Sequence, residues 1–109
     1  MGDEQTTFKE VKSRLQDFNG ARDWHRYHNP KDLAVSISIE SAELLENFQW
    51  KPALGSDEIK QDEEVIKNVK DEVADLLIYL FILADGLNID ISQAMLEKIQ
   101  KNEERFEIA

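Results

Sequence analysis

The sequence of 109 residues predicts an all-α protein: a four-helix, bundle-like fold that is completed by oligomerisation. Apolar residues recur at helical spacing in four stretches, which are separated by segments containing glycine, proline or asparagine. No segment reads convincingly as a strand. Residues 76–84 are apolar on almost every side, and such a helix needs partners all round it. A chain of this length can hardly supply those partners alone, so a homo-oligomer is expected.

The first two helices are predicted from their apolar stripes and their ends. The first runs over about residues 7–19, with Thr6 or Thr7 as its cap and Asn19-Gly20 as its end. A loop over residues 20–30 follows, with unusually many aromatic residues. The second helix spans about residues 31–49 and stops before Pro52. The stripe of the first helix consists of Phe8, Val11, Leu15 and Phe18; that of the second consists of Leu33, Ile37, Leu44 and Phe48.

The third and fourth helices follow a linker over residues 51–56. The third is predicted over residues 57–85, highly charged in its first half and apolar in its second, and Gly86 ends it. Asp90 is the predicted cap of the fourth helix, with Gln93 at the capping-box position. Residues 1–109 are expected to form a single domain, of which residues 1–5 are disordered.

The composition excludes several classes of protein. The net charge of −10 argues against a nucleic-acid polymer as partner, because phosphate binding needs a basic face. The longest apolar run is too short for a membrane span and contains Asp75. There are no cysteines, which excludes disulfides and thiolate metal sites. With no signal-peptide pattern either, a cytoplasmic location is expected.

Four carboxylates in two pairs are the candidate chemistry. Glu40 and Glu43 are three residues apart in the second helix, and Glu72 and Asp75 are three apart in the third, so each pair faces one way. Asp75 is the only charge within the apolar stretch, where a carboxylate must be paired, protonated or bound to a metal. A shared divalent cation is the most economical explanation. Oxygen ligands favour Mg²⁺, with Mn²⁺ as a possible substitute.

Other interpretations of these carboxylates remain. Such spacing occurs in any acidic helix and also fits an ordinary solvated face. A di-iron centre would need Glu-x-x-His on two helices, but His25 and His28 both lie in the predicted loop, which argues against iron. Mg²⁺ keeps several waters and usually holds a substrate phosphate. The pattern therefore suits attack by water on a phosphoanhydride.

Five separated segments occur together in this order: Arg22-Asp23-Trp24 with His28, SIESAELLE at 38–46, Gln49-Trp50, DEVADLLIY at 71–79, and Lys98, Asn102, Arg105 and Phe106. They resemble the MazG-like nucleotide pyrophosphohydrolases, with the compact dCTP pyrophosphatase type as the most similar branch. The resemblance covers about residues 7–106.

The resemblance implies an all-α, oligomeric enzyme, often a tetramer built as a dimer of dimers. It implies hydrolysis of a nucleoside triphosphate to a monophosphate and pyrophosphate with Mg²⁺, in the clearance of surplus or non-canonical nucleotides. Glu40, Glu43, Glu72 and Asp75 would then be the metal ligands and catalytic carboxylates. One of the second-helix glutamates, or Glu46, would orient the attacking water.

Seven further residues are candidates for substrate binding, each with an ordinary alternative. Tryptophans can stack on a base or pack in a core or interface, and a histidine can bind a base edge or simply occupy a loop. The tyrosine lies four residues after Asp75 and can reach a phosphate or belong to the core. The stripe of the last helix can neutralise a triphosphate or be a solvated face. These candidates are Trp24, His28, Trp50, Tyr79, Lys98, Asn102 and Arg105.

Two departures from the family pattern leave the base preference open. Leu15 replaces a polar residue of the vertebrate relatives, and Phe106 stands where many relatives have Tyr-Pro. A related enzyme acting on dUTP or phosphoribosyl-ATP is therefore an alternative. A non-catalytic helical interaction module and a nucleotide sensor without turnover are two others.

Overall fold

The computed structural model describes residues 2–23 and 28–106, and across them the chain is helical without a strand, as the sequence predicts. Four long helices and one short helix make up this part of the chain. They are α1 (Phe8–Ala21), α2 (Pro30–Glu46), α3 (Ser56–Ile59), α4 (Glu63–Gly86) and α5 (Ile91–Arg105).

The helix starts follow the capping residues in the sequence. The Thr7 hydroxyl accepts a hydrogen bond from the backbone N–H of Glu10, which selects Thr7 over Thr6 as the cap of α1. Asp90 caps α5 by accepting from the backbone N–H of Gln93 at 2.9 Å. The reciprocal half of the predicted capping box is not formed, because the Gln93 side chain donates to Glu97 instead.

The prediction of a single third helix is wrong, because this part of the chain forms two helices, α3 and α4. The chain turns at residues 60–62 between α3 and α4. Asp62 leaves the helical conformation, and its carboxylate accepts from the backbone N–H of Val65. An aspartate so placed caps a new helix better than it continues an old one. The charged segment before it has few apolar side chains with which to hold a longer helix against the bundle.

Other boundaries shift by a few residues. α1 continues through the predicted stop at Asn19-Gly20 and ends before Asp23, which takes the left-handed conformation at φ 53°. α2 ends at Glu46, earlier than predicted, and turns follow it. Residues 2–6 form a hydrogen-bonded turn where disorder is predicted for residues 1–5.

The packing is centred on α4. α2 lies along α4 as its main partner, while α1 crosses α4 near its C-terminal end. There the rings of Phe8 and Phe81 meet edge to face with centroids 5.5 Å apart. α5 makes few contacts with the other described helices. The buried apolar residues of the described chain are Leu33, Val65, Phe81 and Ala84.

Much apolar surface stays exposed in the isolated chain. α4 exposes Val73, Leu77 and Leu80, and α5 exposes Leu96 with 68% of its surface accessible. Among the described helices, none combines the length and apolarity needed to cross a bilayer.

Candidate metal centre

The packing of α2 on α4 brings the two carboxylate pairs together. Glu40 and Glu43 are one turn apart on α2, and Glu72 and Asp75 are one turn apart on α4. α2 is anchored on one side of this region by buried Leu33, and α4 is anchored on both sides by buried Val65 and Phe81. The apolar contacts therefore fix the register that places the acidic residues opposite one another.

Three of the four carboxylates form a tight group. Glu40, Glu43 and Glu72 each offer one oxygen, and these oxygens all lie within 4.8 Å of one another. Oxygens bound to one ion, from Mg²⁺ to Ca²⁺, lie up to about 4 to 5 Å apart. The group therefore has the spacing and the ligand type that a hard divalent cation requires.

Two of these glutamates each have a buried carboxylate oxygen without a hydrogen-bond partner in the described chain. Oε2 of Glu40 and Oε2 of Glu72 are shielded from solvent, and neither has a hydrogen-bond partner within the described chain. A buried carboxylate oxygen without a partner is costly. A bound cation removes this cost, so the orphaned oxygens fit a divalent metal by an observation independent of the spacing.

The electrostatics of the group are most visible at Glu40. The pKa of its carboxyl is raised from 4.5 to about 7, and burial is the largest cause. The neighbouring carboxyl groups of Glu72 and Glu43 contribute to this rise because they favour a protonated Glu40 beside them, and the charges of Glu43 and Asp75 add to it. When no cation is bound, Glu40 is therefore partly protonated near pH 7, and this proton lowers the negative charge of the site.

The surroundings of Asp75 are more exposed than its apolar sequence context predicts. Its carboxylate is outside the group of oxygens within 4.8 Å, although its charge acts on Glu40. The side chain is exposed rather than enclosed by the apolar stretch, because α2 covers only one side of α4. Its apolar sequence context therefore does not by itself require a metal. Its role as a ligand stays a prediction.

A polar pocket of about 500 Å³ opens beside the carboxylate group. Among the described residues that line it none is basic. Asp71 and Asn68 were missed as pocket residues by the sequence reasoning, although Asn68 precedes Glu72 by four residues and so shares its face of α4. The lining residues are Glu43, Glu46, Asn47, Asn68, Asp71 and Glu72.

The predicted substrate-binding residues near α2 are dispersed. His28 lines a separate cavity of about 250 Å³ with Lys12 and Asp85, and its Nδ1 is buried without a partner within the described chain. His28 precedes α2, which begins at Pro30, and Glu40 lies ten residues further along that helix, a rise of about 15 Å. Trp50 follows α2 and is 88% exposed. Trp24 lies outside the described residues.

The remaining predicted residues lie on α4 and α5. Tyr79 is half-buried on α4, one turn after Asp75. Lys98 and Arg105 are exposed on α5, and Asn102 is half-buried between them. None of these residues lines the acidic pocket.

Comparison with known proteins gives a consistent assignment. The profile of the MazG-like family matches residues 35–109. The bovine dCTP pyrophosphatase 1 is 31% identical over 104 residues, covering 95% of this chain and 62% of that protein. The human dCTP pyrophosphatase 1 is 29% identical over 102 residues, covering 94% of this chain and 60% of that protein. The chain thus spans about three fifths of the length of these relatives.

A solved structure is similar over nearly the whole chain. A pyrophosphatase from Archaeoglobus fulgidus, known from its crystal structure, superposes with a TM-score of 0.77. It is 44% identical in sequence, and the match covers 92% of both chains.

Proposed function

Because this chain belongs to the MazG-like family, we propose that it is a Mg²⁺-dependent nucleoside triphosphate pyrophosphohydrolase. The reaction converts a (d)NTP and water to a (d)NMP and pyrophosphate. The observation that carries the proposal is the convergence of Glu40, Glu43 and Glu72, with two buried oxygens that have no partner within the described chain. The names of the relatives, dCTP pyrophosphatase and pyrophosphatase, support the same chemistry.

The carboxylates have distinct parts in this reaction. Glu40, Glu43 and Glu72 hold the cation, with Asp75 as a fourth ligand. The chemistry supplied by the ion when bound is Lewis-acid stabilisation of the charge on the phosphates. Glu46 or one of the metal-binding glutamates of α2 orients the water that attacks at the α–β linkage, and pyrophosphate leaves. Glu40 must release its proton for the site to fill.

The active form is a homo-oligomer, as a dimer or a tetramer. The apolar side chains that α4 and α5 expose are too many for a single domain and are typical of an interface. Lys98, Asn102 and Arg105 do not line the acidic pocket of their own chain, and in the proposed oligomer assembly would bring this stripe to the triphosphate. The whole of residues 1–109 acts as one domain in that assembly.

The nucleotide is bound through aromatic and polar side chains. Trp24 and Trp50 stack on the base, His28 binds a base edge, and Tyr79 reaches a phosphate. The relatives' names make dCTP the first substrate to test. Leu15 and the end of α5 differ from the family pattern, so dUTP and phosphoribosyl-ATP belong in the same test. A cytoplasmic role in cleaning the nucleotide pool fits such an activity.

The decisive experiment measures pyrophosphate release from a panel of canonical and modified (d)NTPs with Mg²⁺ and with EDTA. Mg²⁺-dependent release of pyrophosphate supports the proposal and identifies the preferred base. Release of orthophosphate contradicts the α–β cleavage site. Binding of nucleotide without release favours a sensor, and neither binding nor release by folded protein favours a structural oligomer.

A further inference from the structure

Glu43 is the ligand of the proposed centre that lies closest to the end of a helix. α2 ends at Glu46, so Glu43 is in its last turn, whereas Glu72 lies well inside α4. The backbone carbonyls of a last turn have no intrahelical partners, and such ends fray. A frayed turn would carry the Glu43 carboxylate away from Glu40 and Glu72. It would thereby lower the fraction of molecules that are ready to bind a cation.

Asn47 closes this last turn with its side chain. Its backbone N–H donates to the carbonyl of Leu44, whereas a regular α-helical turn would direct it to the carbonyl of Glu43. The side-chain amide of Asn47 donates to the Glu43 carbonyl at 3.4 Å and to the Leu44 carbonyl at 3.3 Å. Donors shared between two successive carbonyls are common at helix ends. The amide therefore replaces the backbone donor that the Glu43 carbonyl lacks.

The amide ends α2 without adding positive charge. The last turn of α2 contains no basic residue, and the C-terminal end of a helix carries a partial negative charge. A lysine at this position could also donate to the carbonyls, but its charge would repel a cation. A neutral donor therefore fixes the turn and leaves its negative potential available to the ion.

Resting on the metal centre proposed above, we infer that Asn47 is a positioning residue, which holds the last turn of α2 and so keeps the Glu43 carboxylate in reach of the cation. Asn47 is half-buried, which limits competition from water for its two bonds. It lines the acidic pocket together with Glu43 and Glu72, so it is next to the group whose geometry it fixes. In this role Asn47 acts through the backbone of Glu43 and not as a ligand of the ion.

The test measures the affinity of the metal-free chain for Mg²⁺ alone by calorimetry. Asn47→Leu and Asn47→Ala both remove the donor, and Asn47→Leu keeps much of the side-chain volume. Asn47→Ser keeps a donor for the Glu43 carbonyl, in the way that the Ser41 hydroxyl donates to the Ile37 carbonyl at 2.8 Å in the same helix. Ser41→Ala is the matched control, because it removes a side-chain donor from α2 at a residue that does not line the acidic pocket. Circular dichroism verifies that each variant is folded.

We expect Asn47→Leu and Asn47→Ala to bind Mg²⁺ about 10-fold more weakly than the parent, as when a residue that orients a metal ligand is removed. Asn47→Ser should recover most of this loss, and Ser41→Ala should match the parent. In a Glu43→Gln background, the change of Asn47 should cause little further loss. The two effects are then not additive, because Asn47 acts through Glu43.

Three results would overturn the inference while leaving the metal centre intact. The first is unchanged Mg²⁺ affinity in Asn47→Leu and Asn47→Ala. The second is an equal loss in the Glu43→Gln background, since Asn47 would then act independently of Glu43. The third is an Asn47→Ser variant that binds as weakly as Asn47→Ala, which would exclude the donor as the cause. No binding of Mg²⁺ to the folded parent would instead contradict the metal centre itself.

Discussion

Glu40 on α2 and Glu72 on α4 bring carboxylate oxygens within 4.8 Å of each other, and one oxygen of each is buried without a partner in the described chain. Two such groups cannot both be ionised at this distance without cost unless a cation lies between them. A proton on Glu40 and a divalent cation are therefore alternative occupants of the same space. The first three predictions follow from this relationship.

The stability of the metal-free chain should depend on pH through Glu40. Its pKa is about 7 in the folded state against 4.5 as the ordinary value. The folded state therefore binds more protons than the unfolded state in this interval, and Glu40's contribution to stability falls as pH rises through it. Glu40→Gln should be more stable than the parent at pH 8 and differ little from it at pH 4. Urea unfolding in EDTA across this range gives the comparison.

The exposed Glu64→Gln variant on α4 removes the same charge outside the carboxylate group and is the control for general charge effects. A Glu40→Gln variant that loses stability at pH 8 would contradict the burial of an uncompensated carboxylate.

Magnesium should stabilise the folded chain. A ligand that binds only the folded state adds about 2.7 kcal/mol at 100 times its Kd. Thermal unfolding with increasing Mg²⁺ should therefore show a rising Tm, and Glu72→Gln should reduce the rise because a ligand is lost. The absence of any Mg²⁺ effect on the parent would count against the centre.

Glu43→Gln and Asp75→Asn should retain the fold and lose turnover, by at least about 100-fold in kcat/KM if both ligate the ion. Both side chains are exposed in the single chain, so neither change disturbs the core. Pyrophosphate release is the assay, and Glu58→Gln on α3, which is exposed and does not line the acidic pocket, is the control. Full activity in both variants would contradict the assignment of Glu43 and Asp75 as metal ligands of a pyrophosphohydrolase.

The junction of α1 and α4 should depend on Phe81. This buried ring meets Phe8 edge to face, with an angle of 81° between the planes. Phe81→Ala should lower the free energy of unfolding by about 3 to 5 kcal/mol, and Phe81→Leu should cost less because it leaves a smaller cavity. Denaturant titration measures both, and equal losses would indicate that packing volume is not the cause.

The exposed face of α5 should hold the oligomer together. Leu96→Glu places a charge where the single chain exposes an apolar side chain, so it should shift the mass in solution toward the monomer. Lys101→Gln makes the same change of −1 in net charge on another side of the helix and is the control. Light scattering after gel filtration gives the masses. A parent chain that is already monomeric would contradict the interface.

The local features of the fold were predictable because they depend on neighbours in sequence. The caps Thr7 and Asp90 and the apolar periodicity gave the long helices. The turn at Asp62 was missed because charged residues on both sides are compatible with a helix. Its capping role depends on where α4 begins to pack through Val65.

By itself, the sequence determined the helical class and the one-turn spacing within each carboxylate pair, since both follow from the period of a helix. Only the tertiary structure decided the register of α2 against α4, which brings Glu40, Glu43 and Glu72 together. It also decided that Asp75 is exposed and that Asn68 and Asp71 face the same pocket. The physical reason is that the burial of a side chain and the distance between two helices depend on which apolar side chains pack together in the core, such as Leu33 and Phe81. No local sequence pattern contains that information.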